Sequence, residues 1–207
     1  MNGLKHLKKH KKFIYLISPN KVKGNNFYIN LEKIFKTNKI AFFQLRLKKE
    51  KIENLIKIGK KIKKICKKYQ VKFLINDDPV IAKKINADGC HLGQNDMNIK
   101  EARKILRKKI IGITCHNSKK FIRQAVKHGA NYIAFKADYN SIQTNGEIID
   151  LFQWWAEFIE IPIMGECSDN CLISKSIWDY CDFFSLEDKI WKRKISIESL
   201  FKPFDTN

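Results

Sequence analysis

The chain has 207 residues, of which 44% are hydrophobic and 12% aromatic, enough for a buried core in one large domain and enough to exclude general disorder. Lysine and arginine number 41 against 21 aspartate and glutamate residues, so the formal net charge is +20, which suits nucleic acid, an anionic membrane or phosphorylated ligands. Only five of the basic residues are arginine, and the lysines are scattered along helical stretches, so we interpret most of this charge as solvated helix surface rather than as a dedicated nucleic-acid site.

The cysteines and the N-terminal segment indicate where the protein works. Six cysteines are present without a Cys-x-x-Cys pair, which predicts reduced thiols in a cytoplasmic protein rather than a disulfide framework or a zinc site. Residues 1–12 form a basic tail, and too few apolar residues follow it for a signal peptide or a membrane span. We therefore expect a soluble protein without a membrane partner, with one domain over residues 13–201 and a short tail over residues 202–207. A homo-oligomer is compatible with this organisation.

Short apolar runs alternate with longer amphipathic runs along the chain. The predicted strands cover residues 13–18, 40–46, 71–76, 88–93, 110–114, 131–135, 161–165 and 181–186. The predicted helices cover residues 27–37, 50–68, 79–85, 98–107, 117–128, 147–158, 168–178 and 187–201. Continuous apolar strands joined by crossover helices are parallel and buried on both faces, so eight such units predict a closed (β/α)8 TIM barrel of the α/β class. A doubly wound sheet is disfavoured because the glycine-rich motifs of dinucleotide and P-loop sites are absent from the sequence.

In a parallel barrel the working residues lie at the carboxyl ends of the strands, so the strand assignments also predict a site. Gln44, Arg46 and Lys48 alternate at the end of the second strand and would face the same side, where two cations and an amide suit a polyanion. Thr114 ends the fifth strand shortly before a helix, where its hydroxyl could contact phosphate oxygens or simply belong to a helix cap.

Carboxylates follow the third and fourth strands. Asp77 and Asp96 could together hold a hard divalent cation, most naturally Mg²⁺, because no thiolate or second imidazole accompanies them. The alternative for the segment 76–79, Asn-Asp-Asp-Pro, is a helix-capping turn. His91 lies inside an apolar strand, where a satisfied core histidine is more common than a catalytic one. The residues alone leave both alternatives open.

The whole set of segments, in this order and spacing, resembles the thiamine-phosphate synthase and TenI family. The resembling segments are YLIS (15–18), QLRLK (44–48), LIND (74–77), ADGCHLGQND (87–96), IIGITCHN (110–117), AVKHGANYIAF (125–135) and IPI (161–163). The resemblance implies a barrel transferase of thiamine biosynthesis that uses Mg²⁺ and small phosphorylated substrates. Such an enzyme joins hydroxymethylpyrimidine diphosphate to thiazole phosphate, forming thiamine phosphate and releasing pyrophosphate.

The resemblance also implies roles for individual residues. Gln44, Arg46, Lys48 and Asn76 would bind the pyrimidine diphosphate, and Arg46 and Lys48 would be the catalytic cations that neutralise the leaving group. Asp77 and Asp96 would bind Mg²⁺, and Thr114 would contact a pyrophosphate oxygen. Nearest to the family's remaining phosphate-binding positions are Ser141, Thr144 and Gly165.

The loops after the last three strands depart from the family pattern. Glu166, Glu187 and Asp188 stand where the family has small or apolar residues, and we expect these acids to oppose a phosphate group on that side of the barrel. Two alternatives to a synthase therefore stay open: a homologue that binds a thiamine intermediate or pyrophosphate without catalysis, and a TenI-like thiazole tautomerase. The tautomerase would need a histidine in the loop after the sixth strand, and residues 136–146 contain none.

Overall fold

A computed structural model describes residues 13–136, 150, 154–155, 157–166 and 180–192. Within these residues eight parallel strands close into a barrel in chain order, with β8 paired to β1. The strands are β1 (Phe13–Ile17), β2 (Ile40–Leu45), β3 (Lys72–Asn76), β4 (Gly89–Leu92), β5 (Ile110–Thr114), β6 (Tyr132–Lys136), β7 (Ile163–Glu166) and β8 (Phe183–Leu186). The predicted TIM barrel is confirmed, and each predicted strand is present within two residues of its expected bounds.

Helices follow the strands on the outside of the barrel. They are α1 (Gly24–Phe35), α2 (Ile52–Lys68), α3 (Pro79–Lys84), α4 (Ile99–Leu106), α5 (Lys119–Lys127) and α6 (Asp188–Trp191). Residues 154–155 and 157–158 are also helical, in agreement with the helix predicted over 147–158. The helix predicted over 168–178 and the predicted tails, 1–12 and 202–207, lie outside the described residues. No helix in the described part of the chain has the length and apolarity needed to cross a membrane.

Helix α2 shows why the large positive charge does not disturb the fold. Ile58, Ile62 and Ile65 recur at helical spacing and are buried against the barrel. Six lysines of this helix are exposed, as expected for a solvated helix face: Lys57, Lys60, Lys61, Lys64, Lys67 and Lys68.

The barrel interior has its own small core, separate from the larger core between strands and helices. Tyr15, Leu74, Tyr132 and Met164 are buried there. Gly112 makes room for this packing, because a Cβ at that position would overlap the ring of Tyr132. Large side chains therefore fill the barrel interior below the polar residues at the carboxyl ends of the strands.

Candidate active site

One cavity of about 380 Å³ opens at the carboxyl ends of the strands. It is lined by Ile17, Gln44, Arg46, Lys48, Asn76, Asp77, His91, Gly93, Thr114, His116, Met164, Glu166, Ser185 and Glu187. Six of the sequence-predicted residues are in this lining: Gln44, Arg46, Lys48, Asn76, Asp77 and Thr114. The cavity lies where a TIM barrel ordinarily carries its chemistry.

The other predicted residues have different positions. Asp96 is not among the residues that line the cavity, but its side chain is hydrogen-bonded to that of Asp77, which is. Gly165 does not line the cavity; a side chain there would instead meet Cys181 and Phe184. Ser141 and Thr144 lie outside the described residues.

The end of β2 carries the cationic side of the cavity. Leu45 and Leu47 are buried, so the alternating residues Gln44, Arg46 and Lys48 face the cavity even though the strand itself ends at Leu45. The sequence pattern therefore placed all three side chains correctly.

Ser18, a residue to which the sequence analysis gave no role, fixes the backbone at this point. It is fully buried, and its Oγ accepts the backbone N–H of Arg46 at 2.9 Å. Its own backbone N–H donates to the carbonyl of Gln44 at 2.9 Å. These bonds join the end of β1 to the chain that carries Arg46, and a small hydroxyl residue directly after an apolar strand was the available signal.

Gln44 lines the cavity and carries a buried side-chain acceptor. Its Nε2 donates to Oδ1 of Asn76. Its Oε1 is buried and has no hydrogen-bond partner among the described residues, although the residue as a whole is only 2% exposed. Buried polar atoms are nearly always paired, so this oxygen is suited to accept an N–H group from a ligand.

The two aspartates that follow β3, Asp77 and Asp78, have different surroundings. Asp78 caps α3 by accepting the backbone N–H of Ile81 at 2.8 Å, and Pro79 occupies the first turn. Asp77 has a left-handed backbone with φ of +64° and lines the cavity. The capping interpretation therefore holds for Asp78, whereas Asp77 faces the cavity and its role in metal binding stays a prediction.

Asp77 and Asp96 form a close pair of carboxylates. The backbone N–H of Gly93 donates to Oδ2 of Asp96 at 2.6 Å and fixes that side chain. Burial, with the hydrogen bond and charge of Asp96, raises the pKa of Asp77 to about 6, against the opposing charges of Lys48 and Arg46. The predicted cations and acids therefore act on one another at the same rim of the barrel.

This pair has the chemistry of a hard-cation site. Two adjacent carboxylates repel one another, so a divalent cation between them is favoured. No set of three His, Cys, Asp or Glu side chains suited to a metal occurs in the described ranges. A cation held by two carboxylates would have coordination positions left for phosphate oxygens and water, which is the arrangement Mg²⁺ favours.

A chain of hydrogen bonds runs from the barrel interior to the cavity through His91. Thr114 Oγ1 donates to Oε1 of Glu166 at 2.6 Å, so its hydroxyl can only accept from Nε2 of His91, 3.0 Å away. Nδ1 of His91 then accepts from the hydroxyl of Tyr132 at 2.8 Å, and that oxygen accepts from the hydroxyl of Tyr15 at 2.8 Å. Burial lowers the pKa of His91, which favours the neutral ring that this pattern requires. His91 is thus a satisfied buried histidine.

The acids at the carboxyl ends of β7 and β8 contact the groups expected to bind the diphosphate. Glu187 forms an ion pair with the guanidinium of Arg46, and Glu166 accepts the hydroxyl of Thr114. Both acids line the cavity. The side chain of Asp188 lies outside the described residues.

A closed parallel barrel with cations, amides and paired carboxylates around one cavity defines a barrel enzyme that acts on a phosphorylated small molecule. A family model described as thiamine monophosphate synthase matches residues 14–165. The chain belongs to the thiamine monophosphate synthase family.

Individual relatives agree with the family model. A thiamine-phosphate synthase of Pelagibacter ubique (strain HTCC1062) is 61% identical over 136 residues, which cover 66% of each chain. A thiamine-phosphate synthase of Erythrobacter litoralis (strain HTCC2594) is 35% identical over 189 residues, which cover 86% of this chain and 87% of the relative. Together they confirm the predicted family and the predicted type of enzyme, a diphosphate-releasing transferase of thiamine biosynthesis.

A solved structure supports the fold. The thiamine phosphate pyrophosphorylase from Pyrococcus furiosus has a TM-score of 0.75 and 19% sequence identity, and the match covers 95% of this chain and 98% of that chain. At this identity the likeness is evidence for the barrel itself.

Proposed function

We propose that this protein couples hydroxymethylpyrimidine diphosphate to thiazole phosphate, giving thiamine phosphate and pyrophosphate. The observation that carries the proposal is the meeting of Arg46 and Lys48 with Asp77 and Asp96 at one rim of a barrel that belongs to the synthase family. In this reaction the bond between the pyrimidine methylene carbon and the diphosphate oxygen breaks, and its electron pair stays on the oxygen. The lone pair of the thiazole nitrogen forms the new bond to carbon.

The cavity supplies groups for both ends of the pyrimidine substrate. Arg46 and Lys48 offset the negative charge that grows on the departing diphosphate, which lowers the barrier to bond breaking. Gln44 presents its buried acceptor Oε1, and Asn76 is held beside it by Nε2 of the same amide. An amino group on the pyrimidine would satisfy that acceptor and orient the ring. No protein nucleophile is required.

Asp77 and Asp96 are the residues that would hold Mg²⁺. Bound there, the cation would add Lewis-acid neutralisation of the phosphate oxygens. The pairing of the two carboxylates and the raised pKa of Asp77 support this assignment. Small phosphorylated molecules are the substrates in this proposal, and a cytoplasmic location agrees with the buried free thiols of Cys66, Cys90 and Cys115.

A coupling assay tests the proposal. Purified full-length protein is incubated with the pyrimidine diphosphate, thiazole phosphate and Mg²⁺, and thiamine phosphate is measured by chromatography. Lys48→Met should lower kcat/KM by about 10- to 100-fold, because it removes a cation from the leaving-group side. Lys49→Met is the matched control, since Lys49 is exposed and does not line the cavity.

The assay also separates the alternatives. Product that depends on Lys48 and on Mg²⁺ supports the synthase. Stabilisation by pyrophosphate and Mg²⁺ without any product would instead assign a binding protein. Interconversion of thiazole tautomers without coupling would assign a tautomerase.

A further inference from the structure

The cavity has an acidic side that the family resemblance does not account for. Glu166 is the last residue of β7, and Glu187 directly follows β8. Both side chains are 25% exposed and line the same cavity as Arg46 and Thr114. Every second residue of a strand faces the barrel interior. Glu166 is two residues after Met164 and Glu187 two residues after Ser185, so both acids lie on the inner face of the barrel.

Each acid contacts a group that the proposed function assigns to the diphosphate. The carboxylate of Glu187 pairs with the guanidinium of Arg46, from the end of β8 to the end of β2 past the intervening strand β1. Oε1 of Glu166 takes the hydroxyl proton of Thr114 at 2.6 Å and lies 4.0 Å from Nε2 of His91. A hydroxyl has one proton to donate, so Thr114 in this arrangement cannot also donate to a phosphate oxygen.

We propose that Glu187 and Glu166 are internal competitors for the diphosphate-binding groups, so that they set the affinity of the site for the substrate's diphosphate and for the pyrophosphate product. This inference rests on the proposed function for the identity of the substrate. A diphosphate that reaches Arg46 must displace Glu187 or share the guanidinium with it. One that bonds to Thr114 must turn the hydroxyl away from Glu166. In both cases a carboxylate stays beside the bound anion and weakens its binding.

The consequence for the reaction concerns product release. Pyrophosphate keeps every phosphate contact that the substrate makes, so a site without opposing acids would still hold the product firmly after the bond breaks. Carboxylates that return to Arg46 and Thr114 favour departure of pyrophosphate. Glu187 and Glu166 would then have two effects: a higher KM for the diphosphate substrate and weaker inhibition by the pyrophosphate product.

A purely structural role for Glu187 makes the opposite prediction. If Glu187 only held Arg46 in position, neutralising it would misplace the guanidinium and weaken anion binding. The sign of the change in pyrophosphate affinity therefore decides between competition and positioning.

The test is isothermal titration calorimetry of the full-length protein with pyrophosphate and saturating Mg²⁺. Glu187→Gln keeps the shape of the side chain and removes its charge, and we expect the Kd of pyrophosphate to fall about tenfold. Glu166→Gln should lower it by about threefold, because the lost contact is to a neutral hydroxyl. Glu50→Gln is the matched control: Glu50 lies in the loop after β2, outside the cavity lining, and should change the Kd by less than about twofold.

Every outcome of the titration bears on the proposal. Tighter binding in both cavity variants supports it, as does binding that is detectable only in those variants. An unchanged or raised Kd in folded Glu187→Gln protein, or no binding in any variant, would overturn it. Glu187→Ala is a second variant with the same expected sign, for use if Glu187→Gln does not fold. Since the probe is pyrophosphate, failure of the coupling assay would refute the proposed function without deciding this inference.

Discussion

Replacing Asp77 by asparagine should make the protein more stable in the absence of Mg²⁺ while removing a group proposed to bind it. The fold partly buries the charge of Asp77 and holds it beside Asp96, and this desolvation and the repulsion between the two carboxylates are costs that the unfolded chain does not bear. Asparagine removes that repulsion. It also tolerates the left-handed backbone of position 77, where φ is +64°, so the substitution introduces no strain of its own.

The size of the effect follows from the pKa of Asp77, which the fold raises from 3.8 to about 6. Each pKa unit corresponds to about 1.4 kcal/mol, so the full shift would cost the folded state about 3 kcal/mol at neutral pH. Asp77 is only half-buried, and solvent screens its interaction with Asp96. We therefore expect a net gain of about 1 kcal/mol for Asp77→Asn.

The gain must also depend on pH with a definite sign. Between about pH 4 and pH 6 the folded protein binds more protons at Asp77 than the unfolded chain does, so wild-type stability falls as the pH rises through this window. The asparagine variant lacks this loss. Its advantage should be largest above about pH 7 and mostly gone at about pH 4.

The assay is urea unfolding in chelator, at neutral and acidic pH, for wild type and for Asp77→Asn. Asp78→Asn is the matched control, because it removes a carboxylate at the adjacent position and keeps a capping side chain for α3. It should change the free energy of unfolding by less than about 0.5 kcal/mol. Added Mg²⁺ should stabilise the wild type and have little effect on Asp77→Asn. A variant that is no more stable than wild type at neutral pH, or equally favoured at both pH values, would refute the reasoning.

Three further substitutions probe the interior beneath the cavity. Tyr132→Phe leaves Nδ1 of His91 without a donor and the hydroxyl of Tyr15 without its acceptor, so it should lower the free energy of unfolding in urea by about 2 kcal/mol. Tyr15→Phe removes only the first donor in this series of hydrogen bonds, so it should lower that free energy by about 1 kcal/mol or less. An equal cost for both would contradict the assigned directions of the hydrogen bonds. Gly112→Ala places a methyl group against the ring of Tyr132 and should cost at least about 2 kcal/mol in thermal or urea unfolding, and a variant of wild-type stability would show that the ring has space to move.

The sequence predicted the fold well because buried parallel strands leave a strong signal. Runs such as 71–76 and 110–114 are short, apolar and separated by helical segments, so both their type and their order could be predicted. The alternation of Gln44, Arg46 and Lys48 also carried into the structure, since period-two alternation fixes which side chains face the cavity.

Other features could not be predicted because they depend on closure of the barrel. The contact of Glu187 with Arg46 joins side chains on opposite sides of β1, and that of Glu166 with Thr114 crosses β6. No local pattern reports a distance between strands that are not neighbours. The sequence predicted that these acids would oppose phosphate, and the closed barrel shows which groups they contact.

The charge of the cavity differs in sign from the charge of the chain. The whole sequence carries a formal charge of +20, and much of that excess is on exposed lysines of the outer helices. Among the described residues that line the cavity, two are cations, Arg46 and Lys48, and three are acids, Asp77, Glu166 and Glu187. Surface charge can attract an anionic substrate over a distance of about 10 Å at moderate ionic strength, but it cannot replace charge at the point of contact. A diphosphate that enters a lining with more carboxylates than cations needs a divalent cation to bind well. We therefore expect its affinity for this site to depend far more strongly on Mg²⁺ than on the salt concentration that screens the surface lysines.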